Sequence, residues 1–189
     1  ETYRPENTIT RAEFLKIILG SKGEIPTECT PTKTFSDVEE GAWYAPIICE
    51  AVNTGIVNGY GDGTFQPNKP ISFAEGSKIV SNVHELGAIE AKGEKWFLPF
   101  VEVIDEQRIM PNIEDIQQPL SRGEMAEIAW GVMTGHEVEN KSRGILPEIS
   151  SCDDLVVQLQ KYEKRNTAPS YYGRGDMVFM EEEMMFDDA

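Results

Sequence analysis

The chain has 189 residues, 40% of them apolar, enough for one ordinary domain with a real core and an appendage. Its net charge of −16 disfavours partners that present phosphate, because gripping a nucleic-acid backbone or an anionic lipid face relies on Lys and Arg releasing counterions. There is neither a run of about 20 apolar residues to span a bilayer nor a charged start followed by an apolar run to mark a signal peptide.

Three segments align in chain order: YRPENTITRAEFLKIIL from Tyr3, FQPNKPISFAEGSKIV from Phe65 and QQPLSRGEMAEIAW from Gln117. In each, a Pro precedes a Thr or Ser that is followed three residues later by Glu: Thr10 and Glu13, Ser72 and Glu75, Ser121 and Glu124. This is a capping box repeated, in which hydroxyl and carboxylate each satisfy orphan amides at a helix start. The helices that follow are amphipathic, marked by Phe14, Ile17 and Ile18, by Ala74, Ile79, Val80 and Val83, and by Met125, Ile128, Ala129 and Val132. Like patterning predicts that they share a central bundle.

A second helix type lies between them and opens near a tryptophan. After Trp43, the residues Ile47, Ile48, Ala51 and Val52 form a helical stripe; after Trp96, Phe100, Val101 and Ile104 do the same. Gly55 and Gly59 bracket a short extended piece, and Gly61-Asp62-Gly63 marks a tight turn where positive φ costs little. The stretch from Gln107 to Gln118 reads as a compressed version of the same passage. The units are therefore a partial repeat over 1–20, a full one over 35–85 and a shortened one over 95–135, together a repeat module over 1–136. Because the chain opens inside a repeat, we expect a processed or truncated product whose export signal lay upstream. Beyond the module the pattern reads as a connector over 137–152, a helix over 153–165 with Leu155, Val156, Leu159 and Tyr162 on one face, and an acidic, Met-rich tail or linker over 166–189.

Three cysteines with no CxxC pair signal neither a zinc site nor a disulfide framework, so free or buried thiols are expected; a Cys29–Cys49 bridge stays open as the alternative, but spacing does not reveal it. No metal site or cofactor is expected: Asn58 to Gly63 lacks the ligand spacing of a calcium loop, and His84 and His136 have no ligand partners at short spacing. No nucleophile, base and oxyanion constellation stands out, so no enzyme is expected. The Arg174-Gly175-Asp176 tripeptide carries almost no weight, since three-residue matches arise often by chance.

The chemistry that remains is anion binding. A helix start attracts anions, and an arginine there adds a planar, permanently charged fork suited to a carboxylate. Thr10-Arg11-Ala12-Glu13 and Ser121-Arg122-Gly123-Glu124 both have one, whereas Ser72-Phe73-Ala74-Glu75 does not. Read blandly, these arginines are solvated first-turn residues. Trp43 and Trp96 offer flat faces for sugar stacking or, equally, for core packing, and Asp37 offers an acceptor for a sugar hydroxyl or a cap for the turn before the next helix.

The Phe35-Ser36-Asp37-Val38 opening, the Trp43-Tyr44 start, the Gly55 to Tyr60 turn, the Asp62-Gly63-Thr64-Phe65 tip and the T-R-A-E segments together resemble the S-layer homology (SLH) family over about Tyr3 to Gly135. The resemblance implies a mainly α fold, a pseudo-threefold helical bundle with short extended turns and grooves between lobes, here followed by the C-terminal helix and tail. It implies a noncatalytic, extracellular anchor on the bacterial cell surface or cell wall that binds secondary cell-wall polysaccharide, with the T-R-A-E arginine meeting a pyruvyl carboxylate. Arg11 and Arg122 are then the ligand-binding residues, with Trp43, Trp96 and Asp37 in supporting places, and other surface-protein subunits are further expected partners. Phe73 departs from the pattern, so its groove is expected to be weakened or turned into a packing or self-association surface. As few as one full-strength groove is expected, since the first repeat is also incomplete. The rival expectation is a self-assembly or scaffold module of a surface layer that has lost wall binding.

Overall fold

The computed structural model describes residues 3–23, 25–89 and 92–135, all within the first of the two units into which the chain divides, Glu1–Ser150. The expected connector, C-terminal helix and tail, with Cys152 and His136, lie outside the described residues. Five α-helices follow one another, α1 (Arg11–Gly20), α2 (Ala45–Asn53), α3 (Phe73–Val83), α4 (Leu98–Glu106) and α5 (Arg122–Thr134), and no strand longer than an isolated bridge occurs among the described residues. The fold is mainly helical, as the sequence predicts.

α1, α3 and α5 begin as expected. Thr10, Ser72 and Ser121 take extended backbone conformations and accept from the amides of Glu13, Glu75 and Glu124, whose carboxylates return a bond to the N-cap amide. α2 and α4 have no side-chain cap but carry Pro46 and Pro99 in their first turn, where a missing N–H costs nothing. These helices start two residues after their tryptophans, so Trp43 and Trp96 stand in the entry turn and not in the helix itself.

The three capped starts are tied into a ring. Ile9 N–H donates to the Leu120 carbonyl, Leu120 N–H to Ile71 and Ile71 N–H back to Ile9, at 2.8–3.1 Å. Bridges Thr8 to Ser121, Thr10 to Pro70 and Ser72 to Pro119 run along the same junction. Around it the stripes read from the sequence face one core. Phe14, Phe65, Phe73, Ile71 and Leu120 are fully buried, joined by Ile48 and Ala51 of α2 and Val101 and Ile104 of α4. Outside this centre α2 packs on α1 and α4 packs on α3.

Two glycines are fixed by geometry. Gly59, at φ 70°, would bring a Cβ within 2.2 Å of the Phe35 ring and 2.9 Å of the Thr64 carbonyl; Gly76 lets Leu120 and Phe14 touch α3 closely, at 3.0 Å from where its Cβ would sit. In the shortened repeat, Arg108 takes the left-handed conformation, φ 56°, just after α4, as Gly55 does after α2. That is how the compressed passage keeps its turn without glycine.

The cysteine expectation is corrected. Cys29 and Cys49 form a disulfide that staples the segment before the full repeat to α2. Asn53 reinforces the staple, accepting from the Thr32 amide and hydroxyl while donating to the Thr30 carbonyl. Spacing could not reveal this pair, because it depends on a loop folding back on a helix.

Candidate functional site

At each capped start the first two amides are already used. Arg11 and Ala12 donate to the carbonyls of Lys69 and Pro67, Phe73 and Ala74 to Gln118 and Ile116, and Arg122 and Gly123 to Asn7 and Pro5. The third amide goes to the capping hydroxyl and the fourth to the N-cap carbonyl. The expectation that open helix amides attract an anion is therefore overturned. The Pro that precedes each cap belongs to the segment whose carbonyls close the neighbouring helix. Whatever anion binding occurs falls to side chains.

Those side chains are arranged by the ring. In α1 and α3 the Glu at the third helical position caps its own helix with one oxygen and presents the other to the first residue of a neighbouring helix. Glu75 Oε1 lies 3.8 Å from Arg11 Nη1, and Glu13 Oε1 lies 3.5 Å from Arg122 Nη1. One turn on, Lys78 Nζ sits 5.7 Å from the Trp96 ring and Lys16 Nζ 5.1 Å from the Trp43 ring. Two like series result, Arg11–Glu75–Lys78–Trp96 and Arg122–Glu13–Lys16–Trp43. Sequence reading missed Lys16 and Lys78, although each stands three residues after a capping-box Glu.

The first series lines a groove of about 330 Å³ with Ile56, Val57, Asn58, Gly59, Tyr60 and Ile79. Arg11 is held tightly there: its Nε donates to the Phe65 carbonyl at 3.1 Å, and its guanidinium lies 4.7 Å from the Phe65 ring and 5.0 Å from the Tyr60 ring. The Tyr60 hydroxyl donates to Glu75 at 2.6 Å, and Lys69 reaches both. Burial and the bond to Glu75 push the Tyr60 phenol above its ordinary range. Desolvation pulls the Lys69 ammonium down, but its bond to Tyr60 and the Glu75 charge outweigh that, so it stays firmly protonated.

The second series is more open. The Arg122 side chain is 33% exposed against 9% for Arg11, and its guanidinium lies 6.0 Å from the Tyr3 ring. Trp43 is half-exposed and Trp96 partly buried, so neither is a pure core residue.

Asp37 sits elsewhere in role. Both its oxygens accept backbone amides, from Phe65 at 2.8 Å and Gln66 at 2.7 Å, so it fixes the hairpin whose Phe65 carbonyl holds Arg11. Phe73 is fully buried, so its own ring packs in the core and offers no surface to a partner. Around it Glu124 accepts from the Gln118 amide, and Glu127 stands where the other two helices have lysine. No cluster of His, Cys, Asp and Glu suited to a metal occurs among the described residues.

The fold and site define a helical repeat module carrying two cation-and-tryptophan series. Residues 34–75 match the S-layer homology domain, and the chain carries that domain. It is 36% identical over 92 residues to a cellulosome-anchoring protein of Acetivibrio thermocellus, covering 47% of this chain and 20% of that protein. It is 30% identical over 140 residues to a surface-layer 125 kDa protein of Lysinibacillus sphaericus, covering 74% and 10%. An amylopullulanase of Thermoanaerobacterium thermosulfurigenes is 39% identical over 84 residues, covering 44% and 4%. The chain thus spans a small part of these relatives, which by name include surface proteins and an enzyme. A cell-surface or cell-wall location follows from the domain and its surface-layer relatives. No helix among the described residues is long and apolar enough to cross a membrane.

Proposed function

We propose that the chain is a noncatalytic anchor that holds a bacterial surface protein to the wall by binding acidic, pyruvylated secondary polysaccharide. The observation that supports it is the matched pair of series, each with a guanidinium, an ammonium one helical turn along and a tryptophan beneath. A sugar bearing a carboxylate offers the complement: its acid for the arginine, its apolar face for the ring. The name of the cellulosome-anchoring relative agrees with this role.

The Arg122 series is the stronger of the two. Arg122 is open to solvent, so an incoming carboxylate needs only to share it with the half-exposed Glu13. Arg11 is already committed to the Phe65 carbonyl and two rings, which makes it a brace for the groove and a weaker contact. Asp37 acts one step behind, by holding the hairpin.

Co-sedimentation with purified wall sacculi, before and after the secondary polysaccharide is stripped, tests the reading. Binding should vanish on stripping and fall about tenfold or more in Arg122→Ala, the usual scale for a charge-assisted hydrogen bond of about 1.5–3 kcal/mol. Equal sedimentation with and without the polymer, or none, rejects the anchor and favours an assembly module.

A further inference from the structure

Asn58 and Gly59 stand together on the wall of the Arg11 groove, in the piece that leads from α2 to the hairpin. Of the chain's asparagines only Asn58 precedes a glycine. That pairing leaves the asparagine side chain open to attack by the next backbone nitrogen, because glycine has no Cβ to stand in the way. Glycine is required there, since a Cβ at position 59 would strike the Phe35 ring. Asn58 is exposed; among the described residues no hydrogen bond holds its side-chain amide, and the Gly59 N–H donates to no carbonyl. The carbonyl between the two is engaged. Lys33 Nζ donates to it at 2.8 Å and lies 5.0 Å from the Phe35 ring. A cation on that oxygen draws charge from the Asn58–Gly59 peptide and favours loss of the Gly59 amide proton. The nearby Asp62-Gly63 pair lacks this freedom, because Thr64 donates to Asp62 through both its amide and its hydroxyl, at 2.9 and 2.7 Å.

We propose that Asn58 is a self-modification site, activated by Lys33, that puts a negative charge into the Arg11 groove as the protein ages. The Gly59 nitrogen gives up its proton and bonds to Asn58 Cγ; the Cγ–Nδ2 bond breaks, and ammonia leaves with that proton, giving a cyclic imide. Water then opens the ring. Addition at the side-chain carbonyl leaves an aspartate at position 58, and addition at the backbone carbonyl leaves an isoaspartate whose chain runs through Cβ. Either way a neutral amide becomes a carboxylate, and only water is consumed. The new charge enters a groove lined by Arg11 and Lys78, where it competes with an acidic sugar for the cations. Isoaspartate does more, because it lengthens the backbone just ahead of Tyr60, whose ring lies 5.0 Å from the Arg11 guanidinium and whose amide is bonded to Thr64. The conversion itself is independent of what the groove binds, whereas the loss of grip rests on the wall-binding reading.

Peptide mapping by mass spectrometry, on the full chain held in warm and mildly alkaline buffer, follows every asparagine at once. Asn58 should convert to a mixture of the two acids well ahead of the others, and Asn58→Gln should all but remove the signal. Lys33→Met should slow the conversion about fivefold or more, on the scale of one hydrogen bond, while Lys33→Arg keeps the rate. Conversion no faster than at Asn53 or Asn68 overturns the proposal. So does a rate that Lys33→Met leaves unmoved or raises, the result expected if the lysine only steadied the loop. On sacculi that the fresh protein binds, the aged protein and Asn58→Asp should each bind about two- to fivefold less tightly. Unchanged binding there overturns the control of the groove. Fresh protein that never binds sacculi rejects the anchor reading instead, and the conversion rates alone then decide this one.

Discussion

Phe73 shows how a single position can leave a pattern without weakening the fold. Where its two counterparts carry arginine, it places a ring at 0% exposure beside Phe14 and Leu120, so Phe73→Ala should cost about 3–5 kcal/mol by leaving a cavity, read as a fall in chemical-denaturation midpoint. Its solution mass should be unchanged, since no surface is lost. His84 makes a second residue-scale expectation. It closes α3 and shares a hydrogen bond of 2.8 Å with Ser21, and burial followed by the Lys22 charge holds its imidazole below the ordinary 6.5. The unfolded chain therefore takes up this proton first. Stability should be intact above about pH 6.5 and decline as pH falls through the lowered folded value, and the part of that decline due to this residue should disappear in His84→Gln when melting is followed across pH. At this scale the capping boxes were legible in sequence, because cap and Glu are three residues apart. The partners of Asp37 were not, because its amides lie 28 and 29 residues away.

At the scale of elements, the amphipathic stripes located the five described helices, and most stripe residues are buried, although Ile17, Val52 and Val132 are only partly so and α4 is buried on every side from Leu98 to Ile104. What spacing left out is how elements are joined. The first amides of each capped helix are satisfied by carbonyls of a segment from another repeat, and no local rule announces that. The disulfide belongs to the same class. It closes a loop with a sequence separation of 20 that contains Phe35, Asp37 and Trp43. Loop-closure entropy assigns it about 3 kcal/mol, so Cys29→Ser should lower the melting temperature measurably under oxidising conditions and make it insensitive to added dithiothreitol. The missed lysines were legible in principle: Lys16 and Lys78 recur at one spacing from Glu13 and Glu75, and Glu127 breaks it after Glu124.

For the whole molecule the net charge of −16 sets a constraint on any acidic ligand. If the proposed reading holds, the protein repels its anionic polymer at long range and attracts it only within a few ångströms of Arg11 and Arg122. Salt screens separated charges more than close, partly buried ones, with a screening length of about 30 Å at 0.01 M and about 10 Å at 0.1 M. Wall binding should therefore hold or strengthen between about 10 mM and about 100 mM salt, unlike that of a basic protein, and sedimentation across a salt series checks the sign. The ring that ties Ile9, Ile71 and Leu120 has a consequence in time as well as space. It couples the two ends of the module, with Tyr3 and Arg122 bonded across 119 residues, so its last bond waits for nearly the whole module to be made. A chain emerging from its amino end must leave the first capped helix unfinished, its Arg11 and Ala12 amides open until the second repeat arrives and its Ile9 amide until the third. Such late, long-range closure slows folding and makes it all-or-none, so a nascent copy has little hold on its groove side chains before synthesis of the module is complete.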